Sequence, residues 1–207
     1  MKIKRFNTGI YDVNTYIVTD EKTSETAIID LGGNFEIIDD YVKANSLKVK
    51  YILNTHGHFD HVMGVLDAKN AYKVPFYIHQ ADEILINNIS KQLETLGMYE
   101  KITSPQIDVY VDENTNISLG DIPIKIFYTP GHTQGGVCYL IEDNLFSGDT
   151  LFYESIGRTD FAYGNHNQLV TSIKQKLFTL SDNITVFPGH GCRTTIGHEK
   201  KYNSYVI

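Results

Sequence analysis

The residues best able to do chemistry in this chain crowd into one short stretch, "THGHFDH" at 55–61, which carries His56, His58, Asp60 and His61. Three more candidates follow in short polar signatures: His132 in "TPGHT", Asp149 in "FSGDT" and His190 in "FPGHG". Neutral imidazoles and carboxylates are donors that suit zinc, iron or manganese. Seven of them are too many for one tetrahedral ion, but they divide between two ions if one carboxylate bridges. His56 and His58 stand two apart, so an extended turn lets both face one side. Asp60 and His61 are offset from that pair, begin the next helix and are free to face a second ion. Gly57 removes a side chain where the backbone must bend tightly. In the two Pro-Gly-His turns the proline stiffens the approach and the glycine permits unusual backbone angles. A lone histidine is ordinarily a surface or core residue with a hydrogen bond, and His79, His166 and His198 are read that way.

These residues need elements to position them. "KIKRFN", "NTYIVTD", "TAIIDLG", "VKYILNT" and "VPFYIH" read as strands in the first half. "FEIIDDYVKAN" has helical spacing behind a candidate N-cap at Asn34, and "HVMGVLDAKNAY" reads as a helix that starts within the histidine motif. Residues 81–100 read as one helix with Leu85, Ile89, Leu93 and Leu96 on a stripe. Core packing is the expected use of that stripe, with a lid over the site or a homodimer face as the alternative. The second half repeats the theme: "IKIFYTPGHT", "GVCYLIE", "NLFSGDT" and "ITVFPGHG" as strands, "NHNQLVTSIKQKLFTL" as a helix, and a short helix in the tail. Four strands end in the polar signatures. Sites in layered α/β folds form from loops at one end of a sheet, so four such loops could converge on one place.

The totals set outer bounds. A chain of 207 residues is expected to form one domain, 1–207, because typical domains hold ~100–200 residues. Apolar residues make up 42% and charged residues 21%, as in an ordinary globular protein, and no stretch approaches the ~20 apolar residues of a membrane span. A net charge of −7 argues against nucleic acid as a partner. Two cysteines, Cys138 and Cys192, cannot make a disulfide scaffold, and the start of the chain alternates like a strand. The expectation is a cytoplasmic protein with no membrane contact. Cys138 lies in an apolar strand and reads as core. Cys192 reads as a loop residue, with a redox or substrate contact as the alternative.

Taken in order, "HxHxDH", "GHT", "SGD" and "PGHG" resemble the metallo-β-lactamase superfamily across nearly the whole chain. The resemblance implies an αββα sandwich of two similar halves, with two mixed β-sheets flanked by helices. It implies one ion on His56, His58 and His132, a second on Asp60, His61 and His190, and Asp149 bridging them. The ions it implies are divalent, zinc first, with iron and manganese as alternatives. Asp30 in "IIDLG" matches a family aspartate that braces the metal loop; the competing reading is a strand-end turn carboxylate.

Within the superfamily, the common β-lactamases place a cysteine where this chain has Asp149. The nuclease branches carry an extra domain and a basic surface. "FSGDTLFYESIGRTDF" followed by "FPGHGCRTTIGHE" looks like the short, single-domain members of the glyoxalase II-like thioester hydrolases. Arg158 matches their basic loop residue and is a candidate for holding a substrate carboxylate; an internal ion pair to Asp160 is the competing reading. Glutathione-using members add a C-terminal helical domain and a tyrosine two positions after the last histidine. Here only residues 191–207 follow His190, and that position is Cys192. The resemblance thus implies hydroxyacyl-thioester chemistry more strongly than it implies glutathione as carrier.

The expected reaction is hydrolysis of a small-molecule thioester by hydroxide shared between two ions, with Asp60 and Asp149 as the catalytic carboxylates. Metal coordination lowers a water pKa toward about 7. A thiolate leaves readily because thiol pKa values are ~8.5, so no Ser-His-Asp arrangement is required. A persulfide (sulfur) dioxygenase of the same superfamily is the alternative, with one iron on His56, His132 and Asp149. Both readings retain every ligand.

Overall fold

The computed structural model of the chain describes residues 1–206. Its first half runs β1 (Lys2–Thr8), β2 (Val13–Thr19), β3 (Glu25–Ile29), α1 (Phe35–Ala44), β4 (Lys48–Leu53), α2 (Val65–Tyr72), β5 (Phe76–His79), α3 (Glu83–Ile86), α4 (Ile89–Thr95) and β6 (Val109–Val111). The second half runs β7 (Ile117–Leu119), β8 (Ile122–Tyr128), β9 (Val137–Ile141), β10 (Asn144–Gly148), the small hairpin β11 (Leu151–Phe152) and β12 (Ser155–Ile156), α5 (His166–Ser172), β13 (Thr185–Pro188), β14 (Thr194–Thr195) and α6 (Ile196–Tyr202). One sheet has the order β1-β2-β3-β4-β5-β6 and the other β14-β13-β10-β9-β8-β7. Both are mixed: β3, β4, β5 and β6 pair in parallel, as do β10 and β13, and the remaining pairs are antiparallel.

Alternation along the strands builds the layers. Tyr16 and Val18, Ala27 and Ile29, and Leu53 point from the first sheet into the space between the sheets. There they meet Ile124, Ile126, Val137, Tyr139, Ile141 and Phe146 of the second. The intervening residues Ile17, Ile28 and Ile52 point the other way and pack under Ile38 of α1, Val65 of α2 and Leu93 of α4. On the far side of the second sheet, Phe127, Cys138 and Leu145 pack under Leu169 of α5 and Ile196 of α6. A side-chain period of 2 makes each sheet two-faced, so each needs a cover on both sides. The result is the expected αββα sandwich. No helix is long and apolar enough to cross a membrane among the described residues.

Several local expectations are corrected. Asn34 occupies the N-cap position of α1, but its side chain does not cap the helix. It sits in the left-handed region at φ 48°, and its side chain instead accepts a hydrogen bond from the Gly9 N–H at 2.8 Å. Asp60 and His61 do not begin a helix; they lie in a single 3-10 turn, Phe59–His61, and α2 starts only at Val65. The stretch 81–100 is not one helix. After a 3-10 turn at Gln80–Asp82 it breaks between α3 and α4 at Asn87 and Asn88. Asn88 leaves helical geometry and turns its amide onto the Ile84 carbonyl at 2.7 Å, the local competition that makes asparagine a poor helix former. Leu85, Ile89 and Leu93 are buried, but α4 has ended by Leu96, which is 43% exposed. The helix expected from 165 to 180 passes after Ser172 into a π turn over Ile173–Leu177. The tail helix is present as α6.

Candidate metal centre

Every polar signature falls at the C-terminal end of a strand: the histidine motif after β4, His132 after β8, Asp149 after β10 and His190 after β13. The two sheets are joined at that edge. The Val137 N–H bonds to the Thr55 carbonyl at 2.8 Å, and the Tyr139 hydroxyl bonds to the Asn54 carbonyl at 3.0 Å. The loops therefore meet in one place. Three sets of ligand atoms gather within 4.8 Å: His56, His58 and His132; Asp60, His61 and His190; and Asp149 with His56 and His61.

Asp149 lies between the groups. Its Oδ1 is 3.5 Å from His61 Nε2, and its Oδ2 is 3.6 Å from His132 Nε2 and 3.7 Å from His190 Nε2. Asp60 Oδ2 is 3.4 Å from His190 Nε2 and 3.8 Å from His61 Nε2. His58 Nδ1 and His132 Nε2 approach to 2.9 Å.

Hydrogen bonds fix the rings so that the inward nitrogens stay free. Thr55 donates its hydroxyl proton to Asp30 Oδ2 at 2.7 Å, so at 3.1 Å it can only accept from His56 Nδ1. That leaves the lone pair of His56 Nε2 pointing into the centre. His132 Nδ1 donates to the Arg158 carbonyl at 2.7 Å, which leaves its Nε2 as the acceptor nitrogen, 2.9 Å from His58 Nδ1. Asp30 Oδ1 also accepts the Thr55 N–H at 2.7 Å, and Oδ2 stands 3.2 Å from His61 Nδ1, at an angle too oblique for a hydrogen bond. Asp30, at φ 53° just past β3, thus lies beneath two candidate ligands. The His190 loop hangs from β2. Asn14 donates to the Pro188 and Gly191 carbonyls at 2.9 and 3.0 Å, and the Tyr16 hydroxyl to Pro188 at 2.7 Å.

Glycine roles in the loops differ from expectation. Gly131 does take an unusual backbone angle, φ +140°. Gly189 is required by crowding instead: a Cβ there would lie 2.2 Å from Asp149 Oδ1 and 2.7 Å from His61 Cε1. Gly57 likewise answers to a close approach, since its Cβ would lie 2.9 Å from Leu85 Cβ.

Electrostatics separate the two groups. Burial, reinforced by neighbouring histidines, drives His56 and His58 well below the usual imidazole range, so both are neutral donors. Burial also pulls on His61, but the carboxylates of Asp149, Asp60 and Asp30 outweigh it and lift the ring to about 10. The same contest raises His190, through Asp60 and Asp149. Asp60 is held below the ordinary carboxylate range because His61 and His190 overcome its burial. One group is neutral and the other rich in carboxylate. Both suit divalent cations, and the upward pull on His61 shows how strongly the three carboxylates favour positive charge there.

Buried polar atoms give a direct test of fit. His56 Nε2, both ring nitrogens of His61 and Asp149 Oδ1 are buried without a hydrogen-bond partner. Such atoms are costly unless something else satisfies them; one from each of His56, His61 and Asp149 gathers in the same small volume, while His61 Nδ1 faces Asp30. The donor set fits metal.

Two residues missed by the sequence reading hold the histidine motif from the 80–95 segment. Asp82 is buried and accepts the Gly57 N–H at 2.8 Å, the Thr133 hydroxyl at 2.8 Å and the Gly135 N–H at 2.6 Å. Gln92 accepts the Phe59 N–H at 3.1 Å and donates to the Gly57 carbonyl at 3.1 Å. The segment is a buttress behind the motif. A carboxylate just past the end of β5, on the edge where the other signatures fall, was the available signal.

The remaining candidates lie outside the cluster. His79 stacks on Tyr128 at 4.4 Å, His198 bonds Glu154 at 2.9 Å, and His166 is exposed at the start of α5. Cys138 is core, its thiol pushed up to about 11 by burial, and Cys192 is exposed. Arg158 forms a two-pronged ion pair with Asp160 at 2.7 and 2.6 Å and lies 3.8 Å over the Phe161 ring. Phe161 in turn meets His58 edge-on at 5.6 Å, so this loop borders the centre. A groove lined by Tyr128, Gln134, Gln168 and Lys176 among others has a volume of about 650 Å³ and includes none of the candidate ligands.

An αββα sandwich with a paired His/Asp centre on its strand-end edge defines a class of metal-dependent enzymes. The metallo-beta-lactamase superfamily model matches residues 8–190, and the chain belongs to that superfamily. Among its relatives is hydroxyacylglutathione hydrolase GloC of Haemophilus influenzae, 32% identical over 100% of this chain and 98% of that protein. The probable metallo-hydrolase YqgX of Bacillus subtilis is also 32% identical, over 100% and 98%. Among solved structures, the BLEG-1 B3 metallo-beta-lactamase matches with a TM-score of 0.91 at 32% identity, covering 99% of each chain. TTHA1623 in a di-iron-bound form matches at 0.87 and 30% identity, covering 98% and 99%. ETHE1 from Myxococcus xanthus matches at 0.82 and 26%, covering 99% and 84%.

Proposed function

We propose that this metal-dependent hydrolase cleaves a hydroxyacyl thioester. The observation that carries the reading is the position of Asp149, within 3.5–3.7 Å of His61, His132 and His190 and so between two complete sets of donors. His56, His58 and His132 would hold one ion, Asp60, His61 and His190 a second, and Asp149 would reach both. Two divalent ions, with zinc the first choice and iron or manganese as alternatives, supply hydroxide at neutral pH and a Lewis acid for the carbonyl. The relative described in a di-iron-bound form supports a pair of ions.

The chain's own residues supply the rest. The Thr55 hydroxyl, bonded in turn to Asp30, and the Arg158 carbonyl hold the rings of His56 and His132 with their Nε2 atoms inward. Asp60 and Asp149 provide the negative charge that retains the cations. A thiolate leaving group needs no proton donor at neutral pH, and no side chain is assigned that task. Arg158 stands where a substrate carboxylate could reach it, although its charge is engaged by Asp160. GloC supports glutathione as the thiol carrier: that protein is matched over 98% of its length, so its name does not depend on a domain beyond the aligned region.

The persulfide dioxygenase reading keeps one observation in its favour. His56, His132 and Asp149, the residue types of a facial triad for one iron, lie close together, with the two rings 4.8 Å apart and His132 Nε2 3.6 Å from Asp149. The case against a β-lactam rests on Asp149 alone, and the likeness to BLEG-1 puts that substrate in the same test.

The test is metal analysis of protein purified without added metal, followed by three assays: thiol release from a hydroxyacylglutathione, oxygen uptake with a persulfide, and β-lactam cleavage. Two ions with thiol release support the proposal. A single tight iron with oxygen uptake, or β-lactam turnover alone, overturns it.

A further inference from the structure

We infer that Asp82 is a positioning residue that sets the affinity of one ion only, the one assigned to His56, His58 and His132; the inference rests on the two-ion reading above. Asp82 is not a ligand. All three of its hydrogen bonds come from the two loops that carry this triad. Gly57 lies between His56 and His58, and Thr133 directly follows His132. Gly135 donates from the same second loop at 2.6 Å. One carboxylate therefore clips together two loops that come from different sheets. It fixes the separation at which His58 Nδ1 and His132 Nε2 face each other, 2.9 Å in the structure.

The fit is tight as well as polar. A Cβ on Gly57 would lie 3.2 Å from Asp82 Cβ, and one on Gly135 would lie 2.6 Å from Asp82 Cγ. Both loops approach the carboxylate as bare backbone, which leaves little slack in either histidine.

The second donor set is tied down elsewhere. His61 packs against Asp30 and is tied by Asn54, whose amide donates to the His61 carbonyl at 2.8 Å. His190 hangs from Asn14 and Tyr16. No hydrogen bond links Asp82 to either anchor among the described residues. Asp30 and Asn54 reach one candidate ligand of each set, whereas Asp82 bonds only to the loops of His56, His58 and His132, so losing Asp82 should show on that ion.

Asp82→Asn is the discriminating change, because it keeps the volume and removes an acceptor. With the amide oxygen facing Gly57 and Thr133, its NH2 faces the Gly135 N–H, donor against donor. Supports of this kind are worth about 10–100-fold in metal affinity. The readout is zinc binding to metal-free protein, by competition with a chromophoric chelator and by elemental analysis after gel filtration. In wild-type protein two dissociation constants are expected. Asp82→Asn should weaken one by about 10–100-fold and leave the other unchanged. In a His190→Ala background the substitution should weaken the remaining ion; in a His132→Ala background it should not. Thr133→Val, which removes one of the three donors and keeps the aspartate, should give the same pattern at smaller amplitude and covers the case in which Asp82→Asn does not fold. Equal weakening of both ions, no weakening of either, or an effect confined to the His132→Ala background overturns the assignment. Wild-type protein that takes up fewer than two ions overturns the two-ion reading itself, and the assignment with it.

Discussion

Asp149 Oδ1 lies 3.5 Å from His61 Nε2, and neither atom has a hydrogen-bond partner although both are buried. Two orphaned polar atoms facing each other in a protein interior are a liability unless a cation joins them. Asp149→Ala should therefore do more than lower turnover. Metal content after gel filtration is expected to fall below two ions per chain, and thioester cleavage to fall by at least about 100-fold, beyond what loss of a mere support costs. Full thiol release from a metal-free Asp149→Ala protein would sink the hydrolase proposal.

Gly189 offers a test that touches no ligand. A methyl group there must share space with the Asp149 carboxylate and the His61 ring, at 2.2 and 2.7 Å. Gly189→Ala should weaken metal binding by about 10–100-fold, while the far-ultraviolet circular dichroism spectrum stays that of the wild type. A variant with wild-type metal affinity would show that the His190 loop has room to move, contrary to its five hydrogen bonds from Arg5, Asn14 and Tyr16.

Much of this was legible in the sequence because it depends on residue type and order. Alternation in "NTYIV" and "TAIID" gives two-faced strands, and the structure buries Tyr16 and Ile29 on one face and Ile17 and Ile28 on the other. The seven candidate ligands were visible because His56, His58, Asp60 and His61 crowd into one short stretch and His132, Asp149 and His190 follow in ordered strand-end signatures. What was not legible depends on partners distant in the chain. Asp82 looks like any loop carboxylate until Thr133 and Gly135 are folded against it. Asn34 has a good capping side chain, but Gly9 takes it. The 81–100 stripe has helical spacing throughout, and spacing alone does not register that Asn87 and Asn88 divide it.

That division makes a stability prediction. Leu93 is buried under the first sheet beside Ile86 and Ile89, whereas Leu96, expected on the same stripe, is 43% exposed. Leu93→Ala should cost about 2–5 kcal/mol, the range for removing a buried leucine side chain. Leu96→Ala should stay within about 0.5 kcal/mol of the wild type. Urea melts of the two variants measure this directly. Equal losses would mean that one continuous helix packs through Leu96.

The remaining prediction concerns substrate charge and begins from Arg158. Its guanidinium is held from both sides, by the Asp160 carboxylate at 2.7 and 2.6 Å and by the Phe161 ring at 3.8 Å. Arg158 holds Asp160 down to about 2. The sign follows: a carboxylate whose pKa is depressed below its unfolded value of ~3.9 keeps its pair above that value and loses it only as pH falls through the folded one. Asp160 is therefore charged at any working pH, and acid near pH 5 does not release Arg158. A substrate carboxylate must compete with Asp160 for the same guanidinium. Asp160→Ala should lower KM for a carboxylate-bearing thioester by about 2- to 5-fold, the modest gain expected at an exposed ion pair. KM for a neutral thioester and kcat for both should not change. The advantage should shrink in high salt, where exposed charges are screened. If KM falls equally for charged and neutral thioesters, the loop gates access by shape and Arg158 does not read charge. If KM for the carboxylate-bearing substrate rises, Asp160 holds Arg158 in the orientation that receives the substrate.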